Sequence, residues 1–273
     1  MTNRKFKWSN LYIAAVFILL YVPIAYLIFY SFNSGGDMSG FTGFTLEHYE
    51  ALFSDNRLLS FIMNTFIVAL LSATLATMIG TFGAIAIYYS RLNSQRQALL
   101  NVNNVLMVTP DVMMGASFLI LFSSLLPIRL GFWSVLIAHV AFSIPIVVLM
   151  VLPSLYEMNP NMITAATDLG ASHWQVLTRV TIPSIARGII SGFFMAFTYS
   201  LDDFAVTFFV TGNGFSTVSI EVYSRARTGI SLEINALSSL MFVVALGLVF
   251  GYYQIQVRDQ RRNKKQYSTK VGY

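Results

Sequence analysis

TAATDLGASHWQVLTRVTIPSI, residues 164–185, lies between two long apolar runs and is patterned far too closely to be a spacer. Asn159 followed by Pro160 is a helix-start signal, and the helix it opens is predicted to stop at Gly170, where the chain can turn. A second helix is predicted from Ser172, with Gln175 three residues on completing a capping-box pattern, and it should end before Pro183. Met162, Ala166 and Leu169 fall at helical spacing in the first, and Trp174, Leu177 and Val180 in the second. Each short helix therefore carries one apolar face. Two capped amphipathic helices can lie on the bilayer or on their own protein, or they can dock into a groove on a soluble partner. Spacing alone leaves these open.

Around this passage the chain is written for lipid. Of 273 residues, 56% are hydrophobic and only 11% charged, and the mean hydropathy is +0.65. A water-soluble domain does not have this profile. A spanning helix needs about 20 apolar residues. Six stretches qualify: roughly 11–32, 60–89, 99–126, 132–152, 185–209 and 233–257. They leave only the segments 33–58, 153–184 and 210–232 and a short tail, which is no room for a separate extramembrane domain. The expected organisation is a basic N-terminus (1–10), one six-helix membrane domain (11–257) holding a polar loop at about 157–183, and a basic tail (258–273).

Charge sets the expected orientation. With both ends inside, the inner side carries Arg4, Lys5, Lys7, Arg91, Arg96, Arg179, Arg187 and six basic residues of the tail. The outer side has only Arg57, Arg129, Arg225 and Arg227. Thirteen against four favours cytoplasmic termini. The tail RDQRRNKKQYSTK then reads as a juxtamembrane cluster beside anionic lipid, and a nucleic-acid role is not expected. The first apolar run is too long for a signal-peptide core, so it is expected to stay as a span.

Several chemistries are missing. No lysine occurs between Lys7 and Lys264, which removes a Gly-Lys phosphate-binding loop and a Schiff base within the spans. There is no cysteine, and His48, His139 and His173 are scattered without metal-ligand spacing. No metal is expected. No G-x-G-D segment suggests an intramembrane aspartyl protease, and no repeated half suggests a secondary carrier.

Three carboxylates within the apolar runs need explanation, since a charge near the bilayer centre costs roughly 2.5–3.5 kcal/mol. Asp111 follows Pro110 near the middle of the third run, and Asp202 and Asp203 lie late in the fifth. Together they are read as an acidic solute path for a cation. Neighbouring residues on a helix point about 100° apart, so Asp202 and Asp203 cannot face one line, and one of them is expected to be structural. Tyr88, Tyr89, Tyr199 and Trp133 are aromatic candidates for ammonium contacts, though aromatics near span ends usually anchor the interface. Gly188, Gly192, Ala196 and Ser200, and likewise Ser72, Ala76, Gly80 and Ala84, recur every four residues as packing stripes.

The 164–185 passage resembles a family signature. Ala165-Ala166, three residues, Gly170, nine residues, Val180, one residue and Ile182-Pro183 is similar to the E-A-A, x3, G, x9, I-x-L-P loop of binding-protein-dependent ABC importer permeases. Thr164 stands where that family usually has Glu, which removes a charge at the docking contact. The stretches YVPIAYLIFYSFNS, TPDVMMGASFLILF, LGFWSVLIAHVAFSIPIVV and SLDDFAVTFFVTG resemble the permease subunit of spermidine/putrescine importers, the second of its pair. The resemblance implies an all-α integral membrane protein with six transmembrane helices and the type I importer fold. A cytoplasmic coupling helix would sit between spans four and five, with Thr164, Ala165, Ala166, Asp168, Gly170, Ala171 and Pro183 at the ATPase contact. It implies no catalysis and no bound cofactor, ATP being used by a partner. The implied partners are a second, non-identical permease, two ATP-binding subunits and an extracytoplasmic polyamine-binding protein, at the bacterial inner membrane. An importer permease for another small solute is the alternative.

Overall fold

The computed structural model describes residues 8–228 and 232–270. Arg4, Lys5 and Lys7 of the basic N-terminus lie outside the described residues, as do the side chains of the basic tail from 258. The described chain is helical throughout, apart from one isolated bridge between Asn33 and Phe44. The elements are α1 (Trp8–Tyr30), α2 (Glu47–Ser54), α3 (Asn56–Tyr89), α4 (Asn93–Val108), α5 (Asp111–Ile120), α6 (Phe132–Glu157), α7 (Asn161–Asp168), α8 (His173–Val176), α9 (Ile182–Ser184), α10 (Ala186–Asp202), α11 (Ala205–Val210), α12 (Val218–Thr228) and α13 (Leu232–Lys270). Wider π turns follow α5 at Leu121–Leu125 and α8 at Leu177–Thr181.

Four stretches are long and apolar enough to cross a membrane as single helices: Leu11–Tyr30, Asn56–Tyr89, Phe132–Glu157 and Leu232–Gly251. Two more candidates are bent pairs. Asn93–Val108 meets Asp111–Leu125 at 104°, and His173–Ser184 meets Ala186–Asp202 at 67°. The third apolar run is therefore no continuous helix: Thr109 and Pro110 are extended, and proline cannot supply the N–H that would carry α4 onward. The fifth run stops early as well. It ends at Asp202 rather than near 209, because Asp203 leaves helical geometry and starts α11 instead.

The chain divides into two compact units, residues 1–59 with 222–273, and residues 60–221. In the first, α13 packs on α1 and α2. Its polar turn winds around buried Asn33, whose Nδ2 donates to the carbonyls of Asp37 and Gly40 and whose Oδ1 accepts from Thr42 N–H. Asp37 accepts from the Ser39 hydroxyl and N–H, which holds its carboxyl below the ordinary range. Arg225 reaches both Glu233 and Asp55.

In the second unit α6 is the central helix. Both small-residue stripes face it. Gly80 of α3 lies so close that a Cβ there would stand 2.7 Å from Val147, and Gly188 of α10 would meet Ser154 at 2.6 Å. Ala69, Ala73, Ala76 and Ala84 join Val147, Val148, Val151 and Leu155 in one buried cluster. Without side-chain bulk the backbones approach and dispersion contacts accumulate, the usual way helices cohere where lipid is as apolar as protein.

Candidate functional site

Two places in the 60–221 unit gather functional side chains. At the first, Pro110 sits at the cap of α5 with φ −58° and ψ 135°, so the new helix opens on Asp111. A carboxylate in the first turn faces the free N–H groups there. Asp111 Oδ1 accepts from the Tyr199 hydroxyl at 2.8 Å, tying α5 to α10. The Tyr199 ring meets Phe142 edge-on at 5.1 Å, and Phe142 in turn lies 4.8 Å from the ring of His139. Asp111 stays exposed. It stands at the junction of two steeply angled helices, not within a single bent one.

Asp202 and Asp203 part company. Asp202 is exposed as the last residue of α10. Asp203 is 7% exposed and turned inward, where its carboxylate accepts from the N–H groups of Val206 (3.3 Å) and Thr207 (2.8 Å) and from the Thr207 hydroxyl (2.7 Å). Its own carbonyl accepts from Ser219 at 2.7 Å. That is the bonding of a helix-starting residue. His139, read as a scattered histidine from sequence, proves to lie beside it, with Nε2 3.5 Å from Asp203 Oδ2. The one sequence clue was a polar ring inside an apolar run, which is expensive unless satisfied. His48 instead bonds the Asn33 carbonyl, and among the described residues no three metal-ligating side chains gather.

The second place is the polar passage after α6. α7 begins at Asn161 with Pro160 at its cap and Asn159 Oδ1 accepting from Asn161 N–H, one residue later than the sequence suggested. At its end Ala171 N–H bonds the carbonyl of Ala166 and Gly170 N–H that of Thr167, a Schellman closure that requires the positive φ of +83° at Gly170. Ser172 and Gln175 then form the expected reciprocal box, at 2.8 and 3.3 Å. The following helix does not end before Pro183 but runs through it to Ser184. The π turn at Leu177–Thr181 widens the spiral, so that Ile182 N–H reaches back to Leu177, and the ring of Pro183 is accommodated without a lost bond. Thr164, Ala165, Asp168 and Pro183 are exposed, and Ala166 and Ala171 half-buried. Leu169 is 89% exposed and Trp174 67%, leaving two large apolar side chains uncovered on the capped pair.

Apolar helices of spanning length, two of them broken beside polar side chains, define an all-helical membrane permease. The chain belongs to the family described as "Binding-protein-dependent transport system inner membrane component", whose pattern matches residues 74–263. It is 36% identical to the spermidine/putrescine transport system permease protein PotC of Haemophilus influenzae, over 90% of this chain and 95% of that one. To PotC of Escherichia coli it is also 36% identical, over 92% and 94%. The putrescine transport system permease protein PotI of Escherichia coli is 32% identical over 93% of each chain. Among solved structures, a bacterial ABC transporter that imports the acidic polysaccharide alginate aligns with a TM-score of 0.73 at 17% identity, over 92% of this chain and 94% of that one. The MetNI methionine ABC transporter aligns at 0.64 and 15%, over 72% and 94%. At those identities the shared property is the fold.

Proposed function

We propose that this chain is the membrane permease subunit of an ATP-driven importer that carries polyamines of the spermidine and putrescine class into the bacterial cytoplasm. The observation that carries this reading is the 36% identity extending over nine-tenths of the chain to permeases so named. The four single helices and two bent pairs are taken as six spans, with both termini cytoplasmic on the balance of lysine and arginine.

Asp111 and Asp202 are the acidic groups of the solute path, one at the angled junction of α4 and α5 and the other at the open end of α10. Exposed carboxylates suit a cargo that carries about three positive charges at neutral pH, because aliphatic amines titrate above pH 10. Tyr199, bonded to Asp111, adds an aromatic face of the kind ammonium groups favour. Asp203, committed to α11, serves the shape of the path from beneath. The capped pair at 161–184 is the coupling element, with Thr164, Ala165, Ala166, Asp168, Gly170, Ala171 and Pro183 around the uncovered Leu169 and Trp174. Its partner is a separate ATP-binding subunit, two copies of which serve this chain and a second, non-identical permease. An extracytoplasmic polyamine-binding protein delivers the cargo, and this chain itself holds no cofactor.

The test is uptake of labelled spermidine and putrescine by cells lacking their own systems. Uptake is expected only when this chain is expressed with an ATPase partner and binding protein. Uptake by this chain alone would replace the reading with that of a carrier.

A further inference from the structure

His139 has no place in the path just described, yet it is 1% exposed and fully bonded. Its Nδ1 lies 2.7 Å from Ser200 Oγ on α10, and Ser200 lies 2.9 Å from Ser72 Oγ on α3. Its Nε2 lies 2.8 Å from Thr207 Oγ1 on α11. The partners assign one proton: the Asp203 carboxylate only accepts, so the Thr207 hydroxyl donates to it and must accept from Nε2–H. The chain breaks between Ser200 and Thr207, at Asp203 and Phe204, and His139 from α6 bonds both sides of that break. Between them stands Asp202. The same imidazole carries Phe142 against its ring, and Phe142 supports the tyrosine that holds Asp111.

We propose that His139 is a positioning residue for solute transport: it staples the end of α10 to the start of α11 and so fixes Asp202, and through Phe142 the Tyr199–Asp111 pair, where they meet the cargo. The proposal rests on the reading of Asp111 and Asp202 as the solute path. Asp203 alone suffices to start α11, since a carboxylate on two N–H groups is a complete cap. What the histidine adds is a second, rigid fixation on a different helix. A satisfied buried network has one geometry, whereas an apolar filler of the same volume tolerates several.

The experiment measures spermidine uptake by the complete transporter in cells, with membrane abundance and ATPase association recorded for each variant. Thr207→Val keeps the shape and removes the hydroxyl between His139 and Asp203. It should leave abundance near normal and raise KM roughly tenfold, with a much smaller change in maximal rate, because a displaced binding group loses contact without stopping turnover. Thr207→Ser should restore KM. His139→Gln, which keeps an N–H for Thr207 and gives up Ser200, should fall between. Combined with Asp202→Asn, Thr207→Val should raise KM no further, since the staple acts through that carboxylate. Multiplying effects in the double variant, or a loss in Thr207→Val confined to abundance or maximal rate, would overturn the proposal. If Asp111→Asn and Asp202→Asn both leave KM unchanged, the path reading itself falls, and the staple falls with it.

Discussion

Asp111, Asp202 and Asp203 carry the same group in three environments, and they should answer to substitution differently. Removing one charge at about 4 Å from a cation in water costs about 1 kcal/mol, or about fivefold in affinity. Asp111→Asn and Asp202→Asn should therefore weaken spermidine uptake by about that factor in KM, and putrescine uptake less, since the divalent amine has fewer charges to share among the same sites. Competition between the two amines in a single uptake assay measures the ratio, and equal losses would assign both carboxylates to structure. Asp203→Asn should instead lower the amount of protein in the membrane, because it unsettles three hydrogen bonds at the start of α11. Asp111 was legible in the sequence as a carboxylate after proline in an apolar run. The setting of His139 was not, because Ser200 and Thr207 stand 61 and 68 residues further along the chain and nothing local marks them as its partners.

Helices in this chain are held by what their contact faces leave out. Gly80 has no room for a Cβ against Val147 and the Ile144 carbonyl, so Gly80→Leu should separate α3 from α6. The cost should be on the order of 1–3 kcal/mol, read as a lower thermal midpoint in detergent with reduced abundance. The same change at Gly247, which has open space around it, should be mild by comparison. Period-four stripes were plain in the sequence, and their partner emerged only in the fold, since small residues announce close packing without naming what packs. Helix length was also legible, but the two breaks were not. A proline says that a hydrogen bond is missing, whereas the 104° at Thr109–Pro110 depends on where α6 holds α4, through Asn103 and the Pro145 carbonyl among others. The π turn before Pro183 hid for a like reason: one extra residue per turn leaves no compositional trace.

At the scale of the molecule, transport requires that work arriving at one place be felt at another. Gly170 is the position to probe, because its φ of +83° is strained for any residue with a side chain, while the space around it is empty. Gly170→Leu should leave the protein in the membrane and still bound to its ATPase, with ATP hydrolysis continuing and uptake lost; retained uptake would end the coupling role of this passage. Replacing the uncovered Leu169 and Trp174 by Ser should weaken ATPase association itself, as measured by co-purification. Family and fold class were readable here from the spacing of a few residues, since capping, a turn and a proline are local devices. The acidic path needed the three-dimensional answer.

The π turn at Leu177–Thr181 bears on how this protein tolerates change in length. It houses one residue beyond what an ordinary spiral would take, so a single deletion there would produce a more regular helix and a worse protein. Everything downstream would be turned by about 100°, carrying the glycines of α10 away from Ser154 and Val147. Irregularity at that point is what keeps the downstream register.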